Sequence, residues 1–139
     1  MTRVLAALAI AFMAATASVA ESPEQAQIDF ANGLFQRGFN KEAAIEYQNY
    51  LDKFPNGEHM KTALYRLGEA SYAAQDFERA LTAFDKLLAV EQDAAARERA
   101  TQSRAEVLYY LKRPADAVLA LEPLSAEGIT PAIRARALY

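Results

Sequence analysis

Side chains that could carry out catalysis or hold a metal ion are scarce in this chain of 139 residues. It contains one histidine, His59, and no cysteine. Thr62 and Ala63 stand where a helix would need a second metal ligand, three and four residues later. The sequence has no Gly-rich phosphate loop and no nucleophile elbow. We therefore expect His59 to be a surface residue, and we expect no catalytic site, metal or cofactor.

Aromatic side chains offer a different chemistry, which is noncovalent binding. Phe35, Tyr72 and Tyr109 follow one another at intervals of 37 residues. Glu69 and Glu106 repeat at the same interval beside them. A tyrosine hydroxyl needs water or a hydrogen-bond partner, which suits the edge of a binding surface. Two interpretations stay open, because these rings could bind a partner or could pack between neighbouring helices.

The elements that must position these rings are helices. Residues 63–88 place apolar side chains three and four residues apart in two successive stripes, as in two amphipathic helices joined by a tight turn. The first stripe contains Leu64, Leu67, Gly68, Ser71 and Tyr72, and the second contains Phe77, Ala80, Leu81, Phe84, Leu87 and Leu88. One such hairpin cannot bury its apolar surface alone, so we expect copies of it on either side, with Phe84 buried between units.

A shift of 37 residues brings the pattern back. Ala80 corresponds to Ala43 and Ala117, and Phe84 corresponds to Tyr47 and Leu121. A fixed period in this range indicates a helical-hairpin solenoid. We predict an all-α, right-handed solenoid of antiparallel helix pairs, with repeats at about residues 24–60, 61–97 and 98–134 and the start of a fourth unit from about residue 131.

Capping residues locate the helix starts within these units. Ser22, Asn40, Asp76 and Asp93 are the expected N-caps, and proline at 23 and 114 suits a first helical position. The third helix is expected to begin near Glu58. The sixth is expected to end at Gly128, and a seventh should begin at Pro131. Because this last helix ends on apolar residues, we expect the chain to be the N-terminal part of a longer protein or a truncated product. We also expect an uncovered face that includes Leu121 and Leu124.

Residues 1–20 differ from the rest of the chain. Arg3 is the only charged side chain, an alanine-rich apolar run follows, and Ser18-Val19-Ala20 has small residues where a signal peptidase reads. This pattern predicts a secretory signal peptide that is cleaved after Ala20, with a retained anchor as the alternative. The formal net charge is −3, with both signs interspersed, so a nucleic-acid partner is not expected.

The motif Leu67-Gly68-x-x-Ser71-Tyr72, followed by Asp76-Phe77-x-x-Ala80-x-x-x-Phe84, resembles the tetratricopeptide repeat. The first unit shows Gly38, Ala43, Tyr47 and Pro55 at the phases of that family, whereas the third has Pro114 in the place of Phe77. The 37-residue period and the phrase from Phe54 to Gly57 are similar to the periplasmic branch of that family. This branch includes the Tol-Pal-associated cell-division coordinator and outer-membrane assembly lipoproteins.

The resemblance implies a concave groove lined by the first helix of each unit. Ile28 and Asn32 would lie on that face, and the implied partner-binding residues are Phe35, Tyr65, Glu69, Tyr72, Glu106, Tyr109 and Tyr110. The expected partner is an extended or helical peptide with apolar anchors and some Lys or Arg. The chain could also self-associate through its uncovered C-terminal repeat face.

The implied function is a periplasmic protein–protein interaction scaffold or adaptor of the bacterial cell envelope, similar to the Tol-Pal-associated coordinator, with no enzymatic activity. One alternative is an outer-membrane assembly factor, although the chain lacks the cysteine needed for lipidation, so no stable membrane anchor is expected after cleavage. Another is the N-terminal module of a larger enzyme or secretion protein.

Overall fold

The computed structural model describes residues 21–125, which form six α-helices and no strand. The helices are α1 (Pro23–Gln36), α2 (Asn40–Lys53), α3 (Met60–Ala73), α4 (Phe77–Val90), α5 (Ala94–Tyr110) and α6 (Pro114–Ser125). None of them is long and apolar enough to cross a membrane. The predictions for residues 1–20, the helix end at Gly128, the fourth unit from residue 131 and the side chain of Leu124 fall outside what the structure describes.

Each helix packs against the helices before and after it in sequence, which makes three helix pairs. We name them unit 1 (α1 and α2), unit 2 (α3 and α4) and unit 3 (α5 and α6). The first helices end at Gln36, Ala73 and Tyr110, a spacing of 37 residues in both intervals. The second helices begin at residues 40, 77 and 114, with the same spacing. The predicted all-α repeat fold with a period of 37 residues is therefore confirmed.

One backbone motif forms the turn inside each pair. A residue with left-handed backbone follows the first helix, and these residues are Gly38, Gln75 and Lys112, with φ of 80°, 62° and 58°. In unit 2 the Gln75 N–H donates to the Tyr72 carbonyl at 2.9 Å, and the next N–H donates to the Ser71 carbonyl at 2.8 Å. Equivalent bonds close α1 and α5. This arrangement satisfies the last carbonyls of a helix, and glycine adopts its left-handed position at the lowest conformational cost.

Three of the four predicted N-caps are confirmed. Side-chain oxygens of Ser22, Asp76 and Asp93 accept backbone N–H groups at 3.1, 3.2 and 2.8 Å. The prediction for Asn40 is wrong, because Asn40 is the first helical residue and Phe39 occupies the N-cap position without a side-chain hydrogen bond. The reason is the repeated turn, which has one length in all units and so places Phe39 where unit 2 has Asp76.

The joint between units 1 and 2 corrects two further expectations. Tyr50 donates a hydrogen bond from its hydroxyl to Glu24 at 2.5 Å and accepts one from the His59 N–H at 3.0 Å. The segment between α2 and α3 therefore extends to His59, and α3 begins at Met60 rather than near Glu58 as expected. His59 is partly buried rather than a surface residue, and its Nε2 lies 3.0 Å from Gln25 Oε1. Burial raises the pKa of Tyr50 to about 12, and the Tyr50 hydrogen bond lowers the pKa of Glu24.

The contact between Phe84 and Gly68 closes unit 2. Phe84 is 1 % exposed, as the sequence predicts. A Cβ added at Gly68 would lie 2.5 Å from the Phe84 Cζ atom, so only glycine lets α3 approach the ring this closely. Phe84 packs in one cluster with Ala105, Val107 and Leu108 of α5, and therefore also joins unit 2 to unit 3.

The left-handed turn residues make a prediction about stability. We expect Gly38→Ala to lower the free energy of unfolding by about 1 kcal/mol, because an alanine side chain disfavours left-handed backbone. An alanine Cβ would meet no atom within 4 Å there, so no clash contributes. We expect Gln75→Gly to raise the stability or leave it unchanged, since it removes the same strain. Urea denaturation of both variants measures these changes. A stabilising effect of Gly38→Ala would contradict the assignment of left-handed backbone to residue 38.

Candidate functional site

Four aromatic rings meet where the ends of three helices come together. Tyr72 lies in the last turn of α3, Phe77 is the first residue of α4, and Tyr109 and Tyr110 end α5. We call these four residues the aromatic cluster. The short α3–α4 turn brings Phe77 next to Tyr72, and the 37-residue period brings the end of α5 beside the end of α3.

The rings of the aromatic cluster have defined orientations. Tyr110 stacks on Phe77 with centroids 5.1 Å apart and planes within 10° of parallel. Tyr72 forms edge-to-face pairs with Phe77 and Tyr110, with ring centroids 5.8 and 5.6 Å apart. Tyr109 stands nearly perpendicular to Tyr110, at 84° and 5.7 Å. Offset-stacked and edge-to-face pairs are the favourable arrangements of aromatic rings, so these contacts hold one another in place.

Exposure divides the aromatic cluster into two parts. Tyr109 and Tyr110 are 42 % and 49 % exposed, whereas Tyr72 and Phe77 are partly buried. An open cavity of about 420 Å³ lies beside the two exposed rings, and Lys112 and Pro114 also line it. Tyr109 and Tyr110 therefore leave aromatic surface exposed beside the cavity, and the Tyr72 and Phe77 rings both pack against Tyr110.

Glu69 and Glu106 each bond to another side chain of the protein. The Tyr72 hydroxyl donates to Glu106 Oε1 at 2.8 Å, and burial together with this bond raises the pKa of Tyr72 above its ordinary value. Glu69 forms an ion pair with Arg66 at 2.8 Å. The Arg66 guanidinium offsets the charge of Glu69, whereas the hydrogen bond from Tyr72 leaves the charge of Glu106 in place. Lys112, in contrast, takes part in none of the ion pairs found within residues 21–125.

The row of Phe35, Tyr72 and Tyr109 has three different environments. Phe35 packs edge-on against Tyr47 at 6.5 Å, and the Arg66 guanidinium lies 5.7 Å above its ring. Tyr72 is in contact with Tyr110. In both places a side chain of the following unit lies on the ring. Of the three residues, Tyr109 alone is exposed, so the rings do not form one uniform row.

Other residues implied for the groove lie elsewhere. Ile28 is 2 % exposed and belongs to the core, so its expected place on the concave face is wrong. Asn32 accepts a hydrogen bond from the Tyr47 hydroxyl at 2.7 Å. Tyr65 packs edge-on against Phe84 at 5.9 Å and is partly buried.

The sequence did not predict three residues of the site, which are Phe77, Lys112 and Pro114. Phe77 has the pattern of an ordinary core position because it begins the apolar stripe of α4. Lys112 lies in the turn before α6, and Pro114 is the first residue of α6. The signal that could have identified Lys112 is its phase, since it stands 37 residues after Gln75 at the left-handed position of the turn. Within residues 21–125, no three His, Asp or Glu side chains converge as a metal site would require.

Comparison with known families adds one finding. Residues 62–90 match the family model of the tetratricopeptide repeat. The match spans α3 and α4, which is unit 2. Together with the 37-residue repetition of the helices, it supports the tetratricopeptide-repeat family for this chain, and such repeats generally bind protein or peptide partners. No curated protein matches the chain.

The difference between supporting and exposed rings predicts different effects on stability. Tyr72→Ala should lower the free energy of unfolding by about 1–3 kcal/mol, because its ring packs against Phe77 and Tyr110 and its hydroxyl bonds Glu106. Tyr109→Ala should cost under about 1 kcal/mol, since much of its ring is already in water. Thermal and urea denaturation of both variants compare these costs. Equal losses would mean that Tyr109 is also a packing residue.

Proposed function

We propose that this chain is a protein–protein interaction scaffold or adaptor of the bacterial cell envelope, and that it binds a partner segment at the aromatic cluster. The observation that supports this function is the pair of exposed tyrosine rings, Tyr109 and Tyr110, beside an open cavity. Tetratricopeptide repeats generally act as binding modules rather than enzymes, and unit 2 matches that family.

The geometry of the rings suits binding of an extended peptide. Tyr110 is held by its stack on Phe77, so little side-chain freedom remains to be lost when a partner binds. Tyrosine is among the residues in which interfaces concentrate their binding energy. An apolar side chain of the partner can pack on the exposed surface of the Tyr109 and Tyr110 rings beside the cavity, and the Lys112 ammonium at the cavity can attract a carboxylate. The proposed partner therefore combines apolar anchors with an acidic group.

The proposed location rests on the sequence. Residues 1–20 have the pattern of a secretory signal peptide, and the repeats resemble the periplasmic branch of the family. Within that branch, the Tol-Pal-associated cell-division coordinator is the specific role that we propose. The absence of cysteine from the sequence disfavours the role of a lipid-anchored assembly factor.

Binding tests the site. We expect Tyr110→Ala to weaken binding of a purified soluble component of the Tol-Pal system by about 1–3 kcal/mol, as typical hot-spot losses do, measured by isothermal titration. Leu119→Ala is the matched control, because Leu119 is 59 % exposed but is not part of the aromatic cluster. Equal binding by parent and Tyr110→Ala would reject the site. Failure of every Tol-Pal component to bind the parent would reject the Tol-Pal role.

Fractionation of bacteria that express the full chain tests the location. We expect the protein in the periplasmic fraction, with Glu21 as its first residue by mass spectrometry, because the small residues at 18 and 20 direct cleavage after Ala20. The control is the same chain with Leu8→Arg, which places a charge in the apolar run and should keep the protein in the cytoplasm. A parent chain that retains Met1 in the cytoplasm would contradict the proposal.

A further inference from the structure

Two groups of opposite charge stand on either side of the exposed rings of the aromatic cluster. Glu106 lies three and four residues before Tyr109 and Tyr110 in α5, and residues with this spacing share one side of a helix. A helix rises about 1.5 Å per residue, so Glu106 stands about 6 Å before Tyr110 along the axis. Lys112 follows the end of α5 and lines the cavity beside the two rings. The order along α5 is therefore a carboxylate, two aromatic rings and an ammonium group.

The carboxylate of Glu106 is available to a partner. Its Oε1 atom accepts the hydrogen bond from the Tyr72 hydroxyl at 2.8 Å, and this bond holds the carboxylate beside the Tyr72 ring. A carboxylate has about four lone-pair sites, so it can accept further hydrogen bonds. Glu106 is exposed and takes part in none of the ion pairs found within residues 21–125. A basic side chain of a partner that lies on the Tyr110 ring can therefore bind to Glu106.

The ammonium group of Lys112 is available at the other end. Lys112 is exposed, and no ion pair within the described part of the chain includes it. Its backbone has the left-handed conformation of the turn, with φ of 58°, and the equivalent residues in units 1 and 2 are Gly38 and Gln75. The turn by itself therefore does not require a lysine. A carboxylate of a partner at the cavity can bind to this ammonium group.

Neighbouring charged residues offset one another. Asp76, next to Phe77, pairs with Arg79 at 3.4 Å. Arg113, which follows the turn, pairs with Asp116 at 2.7 Å. Because the charges of these pairs cancel, the carboxylate and the ammonium group described above set the local charge pattern. The exposed rings thus have a negative group at one end and a positive group at the other.

We propose that the partner segment bound at the aromatic cluster has a basic residue at one end, apolar residues in the middle and an acidic residue at the other end. The apolar residues pack on the exposed surfaces of Tyr109 and Tyr110. The basic residue lies beside Glu106, and the acidic residue lies beside Lys112. This inference rests on the function proposed above and adds the charge order of the partner. Complementary charges select the partner and fix its register, whereas aromatic anchors supply most of the binding energy.

The charge order also determines which segments are rejected. A segment with basic residues at both ends places one of them beside Lys112, and a segment with acidic residues at both ends places one beside Glu106. Like charges that face each other across an interface are unfavourable and suppress binding of the wrong partners. Apolar content alone therefore does not decide which segments bind.

Binding of a set of synthetic peptides tests the charge order. All have blocked termini, a fluorescent label and the same apolar centre of Phe, Leu and Phe. The flanking residues are Lys and Asp, Lys and Lys, Asp and Asp, or Gln and Gln. By fluorescence anisotropy we expect the Lys–Asp peptide to bind the parent about two- to tenfold more tightly than the neutral Gln peptide, because exposed ion pairs contribute modestly. High salt should reduce this advantage, since it screens exposed charges.

Two variants change the ends of the site separately. Lys112→Glu reverses the charge at one end, so the Lys–Lys peptide should become the tightest ligand. Glu106→Gln keeps an oxygen that can accept the Tyr72 hydrogen bond but removes the charge, so the Asp–Asp peptide should bind as well as the Lys–Asp peptide. The matched controls are Lys86→Glu and Glu42→Gln, at exposed residues outside the aromatic cluster that join none of the ion pairs within residues 21–125. They should leave the order of affinities unchanged.

The outcomes separate this inference from the proposed function. If the Lys–Asp peptide binds no more tightly than the Gln peptide, or if Lys112→Glu has no more effect on the preference than Lys86→Glu, the charge order is overturned. Loss of binding in Tyr110→Ala would then still identify the aromatic cluster as the binding site. Absence of binding by every peptide would also overturn the charge order, whereas titration of the Tol-Pal component tests the function independently. If Tyr110→Ala binds all peptides as the parent does, the charge order and the site are both wrong.

Discussion

A helix pair in this chain leaves an apolar face that only the next pair can cover, and the rest of the structure depends on this constraint. Phe84 shows how the contact is made, since its ring rests on Gly68 within unit 2 and packs against α5 of unit 3. Because each pair is incomplete alone, stability in such arrays comes from intrinsic terms for each repeat and from interfaces between neighbours. The period of 37 residues is therefore seen both in the sequence pattern and in the packing of each helix pair against the next.

The same period is kept in the backbone. The three turns inside the pairs share one set of hydrogen bonds and one left-handed residue, although only unit 1 has glycine there. Gln75 and Lys112 adopt that conformation because the packing of the helices on either side of the turn offsets its cost. Phe39 at an N-cap position is a further consequence, since the turn geometry decides which residue precedes the second helix.

Equivalent positions differ in exposure along the array. At the end of α5, Tyr109 is 42 % exposed, whereas Phe35 and Tyr72 are partly buried and contact side chains of the unit that follows. At the start of the array, Phe30 is exposed, whereas Leu67 is covered. Equivalent positions thus contribute to the core in one unit and to the surface in another.

The sequence by itself determined the helices, their period and the burial of Phe84. These features depend on short-range signals, namely apolar spacing and caps such as Asp76 and Asp93, which act over one or two helical turns. The tertiary structure alone decided which aromatic rings are exposed, which carboxylates are paired and that His59 is partly buried. Phe35, Tyr72 and Tyr109 share one phase, but different side chains lie next to them. Those neighbours, Arg66 over Phe35 and Tyr110 beside Tyr72, come from another unit, and no local pattern within a repeat encodes them.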